Sequence, residues 1–79
     1  MTRLKSKKLL YTFSTTIKAL RMEEAARSQK APGRLIPIPA TISAGCGMAW
    51  CAPWEAKEEL ESLVQRLHLE VEGTYELWL

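Results

Sequence analysis

Apolar and polar positions alternate from Lys8 to Ser14. Leu9, Tyr11 and Phe13 fall on one side, and Lys8, Leu10 and Thr12 on the other. A period of two predicts a strand. Ser14, Thr15 and Thr16 then offer hydroxyls as N-caps to a helix-forming run from Ile17 to Gln29. In that run Ala19, Met22 and Ala26 share one face, and their modest size suits close packing on a sheet. Pro32-Gly33 marks the stop. Leu35 to Pro39 is apolar and extended but carries Pro37 and Pro39, which cannot donate to a central ladder, so it belongs at an edge or in an extended loop. Met48 to Ala52 reads as a third short strand. From Pro53 or Trp54 a second helix is expected, with Ala56, Leu60, Leu63, Val64 and Leu67 as its apolar stripe. Glu58, Glu59, Glu61, Gln65 and Arg66 fall outside that stripe, and Gly73 to Leu79 alternates again as a last strand.

The order β-α-β-β-α-β, with short right-handed connections, predicts an α+β fold: a ferredoxin-like sandwich whose antiparallel sheet carries both helices on one face. That topology puts the second and fourth strands at the edges, and the second is the one with two prolines. One domain over residues 8–79 is expected behind a basic, disordered segment at 1–7, where Arg3, Lys5 and Lys7 lie.

Composition narrows the function classes. A chain of 79 residues has one thin core, and such a domain buries only about 60% of its unfolded surface. A formal charge of +2 gives little pull toward nucleic acid or membrane. The strands also lack the exposed aromatic pairs that stack on RNA bases. No signal-peptide core or membrane span is visible, which predicts a cytoplasmic protein. Two cysteines and one histidine fall short of a tetrahedral metal site, so no metal and no cofactor are predicted. His68 sits where a helix C-terminal cap is expected. Of the three tryptophans, Trp50, Trp54 and Trp78, one or two are expected in the core and the remainder at an interaction patch.

The candidate chemistry is Gly45-Cys46-Gly47. Glycine on both sides leaves a thiol unshielded by neighbouring side chains and lets backbone amides approach what the sulfur carries. Structural cysteines sit among bulky apolar neighbours instead. Cys46 therefore reads as a presented thiol, with an incidental cysteine in a hairpin turn as the alternative. The expected topology brings this turn to the rim where the first strand enters its helix, beside Thr15 and the positive end of the helix dipole, an environment that favours a thiolate. Cys51 offers a second thiol. On an extended chain it lies about 15 Å from Cys46 at roughly 3.3 Å per residue, whereas a disulfide needs the α-carbons within about 7 Å. A small residue packed on the sheet is the reading favoured for it.

The segments YTFSTTIKAL-RMEEAA, Arg34-Leu35-Ile36-Pro37-Ile38-Pro39 and Ile42-Ser43-Ala44-Gly45-Cys46-Gly47-Met48-Ala49 resemble a family of small bacterial selenium/sulfur carrier-like proteins. The resemblance covers nearly the whole chain. It implies that Cys46 is the carrier thiol, within the turn formed by Ser43, Gly45 and Gly47, and it assigns no role to Cys51. It further implies an accessory carrier, not a turnover enzyme, that holds a persulfide or selenopersulfide between a cysteine desulfurase-type donor and an acceptor enzyme. Two other functions fit the residues. One is a thiol redox relay or sensor using Cys46, with or without Cys51. The other is a protein-interaction module in which Cys46 is incidental, and a homodimer stays open in every case.

Overall fold

A computed structural model describes residues 5–43 and 45–79 of the chain. The first strand, β1 (Lys7–Thr12), is followed by helix α1 (Thr16–Gln29). Thr15 caps the helix from an extended conformation, its hydroxyl accepting a hydrogen bond from the Lys18 amide at 3.3 Å. That bond satisfies one of the amides a helix start leaves without a partner. The helix ends before Pro32-Gly33, at Lys30, which turns into the left-handed region with φ 56° and points its amide back at Ala26 and Arg27. Next come β2 (Arg34–Pro37), β3 (Met48–Pro53), one 3-10 turn (Trp54–Ala56), α2 (Lys57–Arg66) and β4 (Gly73–Trp78). The expected basic segment at 1–7 falls partly outside the described residues, which exclude Arg3. Lys7 opens β1, and Ser6 exchanges two backbone hydrogen bonds with Leu79.

The sheet is antiparallel throughout, in the order β2-β3-β1-β4. Both helices cover one face. There Leu9, Tyr11 and Phe13 meet Ala19, Met22 and Ala26 of α1, Trp50 and Ala52 of β3, and Leu60 and Leu63 of α2. Trp50 is 3% exposed and its indole N–H donates to the Pro32 carbonyl at 3.3 Å, which seals the α1–β2 connection against the core. Gly33, at φ 121°, lies so close beneath that ring that a β-carbon there would collide with the indole nitrogen.

Among the described residues no helix covers the other sheet face, yet Leu10 and Ala49 are buried on it. The chain after β2 crosses this face. Ile38 donates its amide to Gly47, Ile42 donates to Pro39, and the two isoleucine side chains pack against Leu10 and Ala49 together with Ile36, Cys51, Tyr75 and Leu77. Burying a leucine stabilises a fold by roughly 2 kcal/mol, so a loop that buries Leu10 is a structural element in its own right.

Two details correct the expected second helix. Its first turn, from Trp54, is a 3-10 turn, and the α-helix begins only at Lys57. Leu67 is 44% exposed and stands outside the buried stripe, because the helix stops at Arg66. His68 follows with φ 53°, its amide on the Gln65 carbonyl, which is the capping position expected of it.

Candidate functional site: the Gly45-Cys46-Gly47 turn

The turn is fixed at both ends by backbone hydrogen bonds. Cys46 donates its amide to the Phe13 carbonyl at 2.9 Å, and Gly47 accepts from the Ile38 amide, also at 2.9 Å. Phe13 directly follows β1 and lies two residues before Thr15, so the turn sits at the strand end that leads into α1. Both glycines are in the left-handed region, Gly45 at φ 73° and Gly47 at φ 93°. An L side chain adopts that region at a cost of order 1–3 kcal/mol, which is why this turn calls for glycine. Their surroundings differ. A β-carbon on Gly45 would lie 2.6 Å from the Phe13 carbonyl oxygen, whereas one on Gly47 would meet nothing within 4 Å. The turn is thus braced at Gly45 and open at Gly47.

Cys46 is half-buried and packs against the helix-side core. Its thiol approaches the Met48 carbonyl at 4.0 Å, too long to lock the sulfur in place. The Glu72 carboxylate reaches over Gly45, 3.2 Å from where that residue's β-carbon would be, and the Glu72 amide donates to Thr12 at 2.7 Å. Nearby, Lys18 joins Glu70 at 3.2 Å and the Ser14 hydroxyl at 3.1 Å, tying the start of α1 to the segment before β4. Sequence reasoning missed Glu72. Its neighbours Val71 and Gly73 carry no signal of a partner at Gly45, because the contact depends on β4 lying beside β1.

Of the residues singled out in the sequence, Gly45, Cys46 and Gly47 form the turn itself. Thr15 caps the adjacent helix, and Ser43 is exposed in the approach to the turn. Ala44 lies outside the described residues. Cys51 is elsewhere, in the middle of β3, opposite Leu10 on one side and Arg34 on the other. It packs on the helix-free face, the reverse of the layer that holds Cys46. Burial raises the Cys51 pKa above its ordinary value of 9.0, against smaller lowering effects from Lys8 and Arg34. Both cysteines are free thiols. Among the described residues no group of three or more His, Cys, Asp or Glu side chains is placed to hold a metal ion.

The sequence profile of the family described as Putative Se/S carrier protein-like matches residues 8–76. The chain belongs to that family. The resemblance read from its segments is thereby borne out, over a span that takes in every strand and helix apart from the ends of β1 and β4. No curated protein and no solved structure matches the chain. Membership of a carrier family implies dealings with other proteins. No helix among the described residues is long and apolar enough to cross a membrane.

Proposed function

We propose that this protein carries sulfur or selenium on Cys46, between a cysteine desulfurase-type donor and an acceptor enzyme in the cytoplasm. The observation that carries the reading is the asymmetry of the turn. The Cys46 backbone is held by Phe13 while the Gly47 side offers open space within 4 Å. A carrier thiol must reach into a partner's site and then hold one extra atom without disturbing its own fold, and this geometry suits both demands.

In the proposed step, the Cys46 thiolate attacks the terminal sulfur of a donor persulfide. The donor's S–S bond breaks, a donor thiolate leaves, and a new S–S bond forms on Cys46. One sulfane sulfur changes hands with no external oxidant or reductant. Selenium in the terminal position follows the same course. The glycine-flanked backbone amides next to Cys46 are suited to stabilising the terminal anion. The strand order β2-β3-β1-β4, with both helices on one face, supports reading the domain as a ferredoxin-like sandwich. Such a scaffold would hold the turn rigidly at one end of the sheet.

A dithiol relay is less well supported, since Cys46 and Cys51 pack in opposite layers with the sheet between them. The test is transfer of radiolabelled sulfur from cysteine by a desulfurase. Wild type and Cys51→Ser should take up label that reductant removes, and Cys46→Ser should take up none. Equal labelling of Cys46→Ser would refute the assignment.

A further inference from the structure

The two edges of the sheet are built differently. β2 contains Pro37 and is followed at once by Pro39, so it is a poor template for another strand. β4, six residues long, has no proline. At the open end of the β1–β4 ladder, Ser6 and Leu79 exchange both N–H···O bonds, at 3.0 and 3.1 Å. The alternation of an antiparallel ladder then turns the N–H and C=O groups of Leu77 and Tyr75 toward β1 and those of Thr74, Glu76 and Trp78 outward. Such a row of outward groups is a ready template for strand addition, and proteins normally blunt it with an edge charge. Here the one charge in β4, Glu76, is bound to Lys7 at 2.7 Å and compensated within the molecule. Trp78, on the same edge, is 60% exposed.

We propose that β4 is a self-association edge, on which a second copy of this chain adds its own β4 antiparallel about a two-fold axis at Glu76. The occupant follows from how the edge matches itself. With the axis at Glu76, the outward groups of Thr74, Glu76 and Trp78 meet those of Trp78, Glu76 and Thr74 of the second copy in phase. On the helix side, each Trp78 indole covers the Thr74 of the other copy. On the helix-free face, Tyr75 stands opposite Leu77 of the other copy, an aromatic–aliphatic cross-strand pair. That pair extends the half-buried apolar strip of Ile36, Cys51, Tyr75 and Leu77 across the junction. The two Glu76 carboxylates meet at the axis together with the two Lys7 ammonium groups, so the charges there cancel. A slip of one residue would set outward groups of one copy against residues whose N–H and C=O turn toward β1. Of the two-residue slips none keeps Thr74, Glu76 and Trp78 all paired within β4, which selects the register with the axis at Glu76. The arrangement is isologous and closed. Because the Cys46 turn lies at the Gly73 end of β4, pairing sends the two turns to opposite ends of the joined sheet and obstructs neither. The inference is independent of what Cys46 carries.

Amide hydrogen exchange of the wild-type protein, followed by NMR at micromolar and millimolar concentration beside sedimentation, tests it. The Thr74, Glu76 and Trp78 amides should slow by at least about tenfold on concentration, in step with a doubling of mass, while Tyr75 and Leu77 stay protected throughout. Thr74→Pro removes an outward donor without touching a bond to β1, and should stay monomeric with the wild-type circular dichroism spectrum. Three results would overturn the proposal: a wild type that remains monomeric at millimolar concentration, a dimer whose outer β4 amides exchange at the monomer rate, or a folded Thr74→Pro that dimerises as tightly as wild type. Should Thr74→Pro not fold, the exchange of the wild type decides.

Discussion

Cys46 and Cys51 are the same functional group placed in two environments a few residues apart. Cys46 rides a turn between two glycines in the left-handed region, its backbone held by Phe13 and its far side open at Gly47. Cys51 stands in the middle of β3 with a neighbouring strand on each side and an apolar layer over it. One is held by its backbone, with its side chain half-buried against the helix-side core. The other is held by its side chain, and burial keeps it protonated to higher pH. The difference teaches that the residues beside each cysteine set its surroundings, left-handed glycines for one and paired strands for the other.

The comparison breaks most severely at Gly45. Gly45→Ala puts a β-carbon 2.6 Å from the Phe13 carbonyl oxygen at φ 73°, and it should cost about 3 kcal/mol in urea unfolding as the turn shifts. Gly47→Ala, with nothing within 4 Å, should cost about 1 kcal/mol. Equal losses for the two would mean that the turn is not braced as described.

Alkylation with iodoacetamide and peptide mapping sharpens the same contrast. At neutral pH Cys46 should label about tenfold faster than Cys51, because burial holds the Cys51 thiol protonated and covers it. Raising the pH should speed labelling of both thiols, with the Cys51 rate levelling off only above the range of an ordinary thiol. The sign for stability follows. A thiol whose folded pKa is raised above 9.0 gives its full contribution below the unfolded value and loses it as pH rises through the folded one. Cys51→Ser should therefore flatten the alkaline loss of stability, and faster labelling of Cys51 at neutral pH would reverse the assignment.

The smallest effects separate the two side chains by packing alone. Cys51→Ser places a hydroxyl in an apolar layer and should cost about 1 kcal/mol. Cys46→Ser, on the open turn, should stay within about 0.5 kcal/mol. Paired denaturation curves measure both.

Much of this was legible in the chain. The period-two run through Leu9, Tyr11 and Phe13 gave the helix-side face of β1, and the prolines of β2 marked it as unfit for the sheet centre. The glycines around Cys46 announced a turn because only glycine sits easily at those φ values. What stayed hidden depends on contacts distant in sequence. Ile42 is buried because its loop crosses the helix-free face, and no periodicity encodes such a crossing. Glu72 reaches Gly45 only once β4 has paired with β1. Leu67 fits the apolar stripe by spacing yet lies beyond Arg66, where the left-handed His68 turns the chain away.

The central claim is that Cys46, and not Cys51, receives the transferred atom. Intact and peptide-level mass spectrometry of the wild-type protein, after incubation with a cysteine desulfurase and cysteine, tests it most directly. The account predicts one added sulfur on the peptide containing Cys46, absent after reduction, with the Cys51 peptide unmodified. Added sulfur on Cys51 alone, or none from any of several desulfurases, would contradict it.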